Sequence, residues 1–179
     1  LTPPLEKDLS NHNVFRESWG DVELSHVIVD EAAGDRVRQE LLIGELTEID
    51  ASAYDKFRII HGIPAYPNDL SLDVNPLEAG LRNLISWSKG CYIGQEVIAR
   101  LDTYKKVQRR LVRLESEVFS GSLPAVLTDS HEEVGVVTSF WGQEGGAGKG
   151  LGYVKSSVPD NAVLLLKDTH DQKFRIIPS

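Results

Sequence analysis

The chain has 179 residues, of which 41% are hydrophobic, and carries a net charge of −8 with a pI near 5.1. That length can bury a sizeable core. The acidic balance argues against general nucleic-acid binding, and the single cysteine excludes an internal disulfide. No apolar run approaches the roughly 20 residues of a membrane span. We predict a soluble cytoplasmic protein, or one of an organellar matrix in a eukaryote. Because methionine is absent throughout, we expect a piece of a longer protein or a chain from which residues are missing.

The first part of the chain mixes strand and helix patterns. Alternation of apolar and polar residues predicts strands, and apolar residues three or four apart predict helices. Proline ends the second helix because it keeps the preceding residue extended. The predicted elements are, in order, an irregular segment at 1–20, a strand over 21–30, a helix over 31–42, a short strand at 47–50, a helix over 51–60 and a loop over 64–74.

A helix start follows at Asn75-Pro76-Leu77-Glu78. Asparagine is a good N-cap, proline suits the first helical position, and glutamate three residues after the cap completes a capping box. We predict a short helix from this point through Leu84. A strand over 85–87 and a helix over 95–103 are predicted on either side of the only cysteine.

Beyond residue 106 the pattern changes to short β-type runs separated by turn residues. Such spacing is typical of a small antiparallel barrel or sandwich. The sequence therefore predicts an α+β chain with a boundary near residue 106, giving an α+β domain over 1–106 and a β-barrel domain over 107–179. The predicted strands cover 107–114, 133–140, 151–154, 162–166 and 173–177.

A glycine-rich patch, Gly145–Gly150, superficially resembles a phosphate-binding loop. However, neither Ser nor Thr follows Lys149, and Gln143 stands where the first glycine of that motif belongs. The patch also lies between two strand patterns rather than before a helix. We predict a flexible hairpin loop here.

The single cysteine, Cys91, lies in the octapeptide Lys89-Gly90-Cys91-Tyr92-Ile93-Gly94-Gln95-Glu96. If Gln95 begins a helix, the helix dipole and Lys89 both favour a thiolate. The two glycines would allow a tight turn or close approach of a ligand. The alternative is a small buried residue in a tight turn. The scattered histidines offer no metal-ligand spacing, so we predict no metal site.

Two charged positions form a second candidate site. Arg58 and Glu78 each precede a turn that contains glycine, and arginine can pair bidentately with a carboxylate of Glu78 or of a ligand. The alternative is that Glu78 only caps a helix and Arg58 is a surface charge. Between Lys89 and Arg113 the chain also carries a net charge of +5. This basic strip suits an anionic ligand or an acidic partner, unless it is only a solvated face.

Three motifs in this order resemble the YgfZ-type folate-binding proteins, relatives of GcvT, the aminomethyltransferase (T-protein) of the glycine cleavage system. They are Arg58–Pro64, Pro76–Leu81, and the cysteine octapeptide followed by Ala99-Arg100. The octapeptide is the YgfZ signature, and the resemblance covers the chain from about residue 20 to its end. From this resemblance we expect the first folate-domain segment, which holds the catalytic aspartate of T-proteins, to be missing from the sequence given.

The resemblance implies a fold, a cofactor and partners. The fold would be part of a T-protein-like folate-binding domain followed by a small antiparallel barrel. Family members depend on tetrahydrofolate species and support assembly or repair of iron–sulfur clusters. Cys91 would be the functional thiol, and Arg58 and Glu78 would be folate-domain positions. The setting of the thiol would be formed by Lys89, Gly90, Tyr92, Gly94, Gln95, Glu96 and Arg100.

Three functions stay open at this stage. The first is a tetrahydrofolate-dependent accessory factor for iron–sulfur cluster assembly, acting through Cys91 on iron–sulfur proteins or their assembly machinery, without classical turnover. The second is a folate-dependent aminomethyl or one-carbon transferase of the T-protein class. The cysteine octapeptide replaces a stretch found in true T-proteins, which argues against glycine cleavage itself. The third is a binding module without folate, whose barrel docks partners.

Overall fold

The computed structural model describes residues 13–43, 46–104, 107–130, 132–169 and 171–178. Contacts divide the chain into two compact units between Asp55 and Lys56, here named the hairpin unit and the barrel unit. The elements are β1 Asn13–Trp19, β2 Val22–Ile28, α1 Glu31–Ile43, α2 Ala51–His61, a 3-10 helix Leu81–Leu84, α3 Gln95–Tyr104, β3 Arg109–Phe119, β4 Ala125–Asp129, β5 Glu132–Gly142, β6 Gly146–Lys155, β7 Val163–Leu166 and β8 Lys173–Ile177.

In the hairpin unit, β1 and β2 form an antiparallel pair joined by the two-residue turn Gly20-Asp21. Gly20 adopts a left-handed φ of 61°, which suits the first residue of such a turn. Asp50 caps α2, since its Oδ1 accepts a hydrogen bond from the Ala53 amide at 2.7 Å. The strand at 21–30 and the helices at 31–42 and 51–60 are thus confirmed.

Two expectations for this unit are wrong. Residues 13–19 of the segment predicted to be irregular form β1, while residues 1–12 lie outside the described part. Polar Glu17 and Ser18 hid this strand, which pairs with a partner of clearer alternation. Residues 47–50 form no strand, because they lead directly into the N-cap of α2.

The barrel unit contains a closed six-stranded barrel with the strand order β3-β6-β5-β4-β7-β8 and antiparallel neighbours throughout. Its interior is apolar and closely packed. Phe119, Phe140 and Phe174 form an aromatic cluster with ring centroids 4.7 to 6.1 Å apart. Other core side chains that are almost fully buried are Leu114, Leu127, Val137, Val154, Leu164 and Ile176.

The glycine-rich patch is a strand and not the flexible loop that we predicted. Only Gly145, with φ 67°, lies in the turn, whereas Gly146–Gly150 begin β6. The inward positions of β6 need glycine because neighbouring groups approach closely. A Cβ atom on Gly148 would lie 2.4 Å from the Phe140 ring, and one on Gly152 would lie 2.3 Å from the Val136 carbonyl oxygen. The absent side chains leave room for Phe140.

Two further predictions, both for the stretch before Cys91, are wrong. The capping box at 75–78 forms, with the Leu77 amide donating to Asn75 Oδ1 at 2.8 Å, but a turn and a 3-10 helix follow instead of an α-helix. Gly80 interrupts the helix with a left-handed φ of 74°. Residues 85–87 are irregular and not a strand. The sequence also gave no indication of β4.

The α+β class and the small antiparallel barrel are confirmed. The domain boundary near residue 106 stays a prediction. No helix in the described ranges is long and apolar enough to cross a membrane.

Candidate functional site

Cys91 lies in an irregular loop, residues 85–94, between the 3-10 helix and α3. Its side chain is exposed and its thiol is free. The loop ends in a tight turn in which the Gln95 amide donates to the Tyr92 carbonyl at 3.2 Å. Gly94 has a φ of 89°, a left-handed value that a type II turn requires at this position. Gly90 has no such conformation, so only one of the two predicted glycines is required by the turn.

The neighbours of Cys91 interact with each other rather than with the thiol. Lys89 Nζ lies 4.6 Å from the centroid of the Tyr92 ring. Arg100 pairs with Glu96 at 3.2 Å, one helical turn away on the exposed face of α3. Within the described ranges, no hydrogen bond reaches Cys91 Sγ. The expected tight packing of a structural cysteine is therefore not seen, and the thiol is open to other molecules.

One arginine connects the two ends of the cysteine loop. Arg82, on the 3-10 helix before the loop, forms an ion pair with Asp102 in α3, after the loop. The same guanidinium lies over the ring of Trp87, 5.0 Å from its centroid. The ion pair closes the segment that contains Cys91.

Arg58 is 2% exposed, and its charge is paired with the carboxylate of Asp69. Arg58 Nη1 donates to Asp69 Oδ2 at 2.6 Å, and Arg58 Nη2 donates to Ser139 Oγ at 3.1 Å. Asp69 Oδ1 accepts a further bond from Ser139 Oγ at 2.8 Å and one from Thr138 Oγ1 at 2.5 Å. The Ala65 amide donates to Oδ2 at 3.1 Å. This cluster, named the Asp69 centre, ties α2 and the following loop to β5.

A second tie comes from Tyr153 on β6, whose hydroxyl donates to the Asp69 carbonyl at 2.8 Å. Burial, with a smaller contribution from the nearby Asp69 carboxylate, raises the pKa of Tyr153 to about 12, although Arg109 acts in the opposite direction. The phenol therefore stays a neutral donor at neutral pH.

Glu78 also has an internal partner. Its Oε2 accepts a bond from Arg109 Nε at 2.9 Å, and Arg109 Nη2 donates to the Asp73 carbonyl at 2.6 Å. The Leu111 amide donates to the Glu78 carbonyl at 2.8 Å. These bonds hold the capping-box turn on the start of β3. Arg58 therefore does not pair with Glu78, which was one of the two options from sequence. Instead, Arg58 pairs with Asp69, and Glu78 pairs with Arg109.

Sequence reasoning missed the partners in both pairs. Asp69 lies in a loop rich in Pro, Asn and Asp, where an acidic residue has no special pattern. Ser139 and Thr138 come from a strand about 70 residues away, so no local signal could have indicated them. Arg109 lies within the predicted strand over 107–114, but nothing in that pattern marked it as the partner of Glu78.

The basic strip is largely engaged in structural bonds. Arg110 pairs with Asp160 at 2.8 Å, and Arg113 donates to the Pro178 carbonyl at 2.6 Å. Together with the Arg109 pair, these bonds hold β3 to neighbouring segments. Lys105 and Lys106 lie outside the described residues. These three arginines thus anchor β3, in addition to any part they take in attracting anions.

A groove of about 770 Å³ lies elsewhere, on the outer surface of the barrel among β3, β6 and β8. Its rim mixes acidic and basic side chains, including Glu115, Lys149 and Arg175. Neither Cys91, Arg58 nor Glu78 lines it. We therefore place the candidate site at the cysteine loop, which carries the octapeptide residues from Lys89 to Gly94. No cluster of three or more His, Cys, Asp or Glu side chains that could hold a metal ion occurs in the described ranges.

Comparisons with known proteins found partial similarity to proteins of three descriptions. No family model matches the chain. A putative chloroplastic transferase of Arabidopsis thaliana is 46% identical over 104 residues, which are 58% of this chain and 24% of that protein. The human mitochondrial iron–sulfur cluster assembly factor IBA57 is 39% identical over 51% of this chain and 28% of its own length. An aminomethyltransferase of Picosynechococcus is 36% identical over 51% of this chain and 25% of its own length.

A solved structure supports the fold. The aminomethyltransferase of the glycine cleavage system from Bartonella henselae matches 93% of this chain and 48% of its own, with a TM-score of 0.70 at 19% identity. The fold expected from the three motifs is therefore confirmed. The chain spans about a quarter of the length of the curated relatives named above. Its similarities are thus to aminomethyltransferases, to an iron–sulfur cluster assembly factor and to a putative transferase, and its fold is that of the glycine cleavage aminomethyltransferase.

Proposed function

We propose that this chain carries the thiol of a folate-dependent accessory factor for iron–sulfur cluster assembly or repair. The observation that carries the proposal is the exposed Cys91 in its signature loop. Similarity to an iron–sulfur cluster assembly factor supports the process. Since the chain spans only part of its relatives, the activity belongs to the whole protein.

The geometry favours chemistry between molecules. A catalytic cysteine of a hydrolase or transferase usually has an activating base within hydrogen-bond reach, and Cys91 has none within the described ranges. An iron–sulfur cluster typically needs four protein ligands, so one thiol cannot hold it alone. Cys91 would therefore act as one ligand of a cluster shared with a second molecule, or its thiolate would attack a disulfide of a partner, forming a mixed disulfide and releasing the partner's other sulfur as a thiolate.

The two predicted folate positions fit a supporting role better than direct contact. The Arg58 guanidinium is bound by Asp69 and Ser139, and the Glu78 carboxylate is bound by Arg109. Arg58 is 2% exposed and the Glu78 side chain 14% exposed, so little of either is open to direct contact with tetrahydrofolate. We propose that both side chains shape the segment that meets the folate.

The thiol is tested in cells that lack the native protein. Full-length protein carrying Cys91→Ser, which keeps the side-chain size, should fail to restore the activity of iron–sulfur enzymes. Ser88→Ala is a matched control, because Ser88 is exposed in the same loop. Full restoration by Cys91→Ser would reject the thiol role. The mitochondrial and chloroplastic relatives make an organellar matrix, besides the cytoplasm, the compartment to examine.

The transferase remains a second candidate, because several relatives are aminomethyltransferases. Full-length protein is incubated with tetrahydrofolate and an aminomethyl donor. Catalytic formation of methylene-tetrahydrofolate would favour the transferase. Calorimetry with folinic acid tests the third candidate, the folate-free binding module, which saturable binding would exclude.

A further inference from the structure

The cysteine loop is held at its ends by one side chain. Arg82 makes its ion pair with Asp102 across the base of the loop and stacks on Trp87 within it. Inside the loop, the Lys89 amide donates to Ser86 Oγ at 3.3 Å and the Lys89 ammonium lies over the Tyr92 ring, but neither contact joins the two ends of the loop. The conformations open to Cys91 therefore depend strongly on Arg82.

The planar guanidinium can serve both contacts at once. It offers several N–H donors in one plane to a carboxylate and presents a flat face to an aromatic ring. Asp102 is largely covered, with 25% of its side chain exposed, while 61% of the Arg82 side chain is exposed. A partner docking at the loop could therefore reach Arg82 and disturb the pair.

We propose that Arg82 is a positioning residue for Cys91, acting as a clasp that limits the motion of the thiol loop. The role of this clasp rests on the proposed function, but the restraint on the loop can be measured without any iron–sulfur cluster. Because Cys91 is the only cysteine of the chain, a thiol-specific probe reports on this loop alone.

The test uses a nitroxide label on Cys91 and hydrogen exchange of the amides in 85–94. Arg82→Gln should increase label mobility and exchange rates by about two- to fivefold, which is the range expected from losing one partly exposed ion pair. Arg82→Lys should restore part of the restraint. The reversed pair, Arg82→Asp with Asp102→Arg, should restore the ion pair.

The control is Arg100→Gln, which removes an exposed ion pair from the same helix without touching the base of the loop. Label spectra and exchange rates of Arg82→Gln equal to those of the control would overturn the proposal. So would a reversed pair no more restrained than Arg82→Gln. In the cellular assay, normal activity of Cys91→Ser would reject the thiol role yet leave the clasp measurement valid, so the two failures can be told apart.

Discussion

The Asp69 centre and the cysteine loop are two polar regions of the same unit with opposite construction. At the Asp69 centre, the charges are almost fully buried, and both carboxylate oxygens accept bonds from several elements. In the cysteine loop, Cys91 is exposed and has no hydrogen-bond partner in the described part of the chain. The difference indicates that buried groups whose hydrogen bonds are all made within the protein maintain the architecture. Exposed groups without such partners are available to other molecules.

The largest effect is expected from Asp69→Asn, which tests whether the Asp69 centre stabilises the fold. Removing one partner of a buried ion pair leaves the other charge without compensation, so we expect a loss of about 3–5 kcal/mol in the free energy of unfolding. Urea denaturation of the chain measures it. A loss as small as that of Glu96→Gln, which removes only an exposed pair, would contradict the structural role of the Asp69 centre.

A backbone test compares Gly152 in the barrel with Gly90 in the cysteine loop. An alanine Cβ at Gly152 would lie 2.3 Å from the Val136 carbonyl oxygen, so we expect a destabilisation of roughly 1–3 kcal/mol. At Gly90 nothing lies within 4 Å, and Gly90→Ala should change stability by less than about 0.5 kcal/mol. Thermal unfolding of both variants measures the two losses of stability. A loss for Gly152→Ala as small as that for Gly90→Ala would show that the barrel strands can move apart.

Tyr153→Phe should cost about 1 kcal/mol at neutral pH, because the Asp69 carbonyl loses its donor. The pH dependence has a definite sign. The native pKa of about 12 exceeds the ordinary value of 10.0, so the native state keeps its proton when the unfolded chain has lost it. The contribution is complete below pH 10 and is lost progressively as the pH rises from 10 to about 12.

Denaturation of wild type and Tyr153→Phe at several alkaline pH values isolates this contribution, since the other groups that titrate there are common to both proteins. The difference between the two proteins should shrink as the pH rises. A constant difference from pH 9 to 12 would show that the phenol is not held in its neutral form.

The smallest effect is expected at the exposed pair of Glu96 and Arg100. These side chains are 87% and 69% exposed, so Arg100→Gln should change the free energy of unfolding by less than about 0.5 kcal/mol. The same denaturation series detects it. A larger loss would mean that the motif around Cys91 carries structure and not only surface chemistry.

The sequence predicted what is local and periodic. The alternation in β2 and the spacing in α1 and α3 each identified an element because one face of it repeats within a few residues. The β1 strand was missed because its polar residues mask the alternation that its partner displays. Only the second half of β6 was predicted, as a strand over 151–154. Its first half was missed because its glycines look like a loop, although they are required by the closeness of Phe140 on the neighbouring strand.

The candidate site was predictable only in part for the same reason. The octapeptide identified the loop and the turn at Gly94, since both are encoded within a few residues. The partner of Arg58 is set by a network that joins Asp69 to Ser139 across the fold, and no pattern in the sequence brings these two positions together. Likewise, no sequence pattern linked Arg82 to Asp102, because the position of α3 in the fold brings the two side chains together.

The glycines of β6 also bear on how the protein can be engineered. A glycine-rich stretch such as Gly145–Gly150 is a natural choice for inserting an epitope tag or a fluorescent reporter. Only its first residue is in a turn, and the exposed Gln143 and Glu144 precede it. An insertion after Glu144 should leave the barrel intact, whereas one after Gly148 would separate strand residues that pair with both β3 and β5.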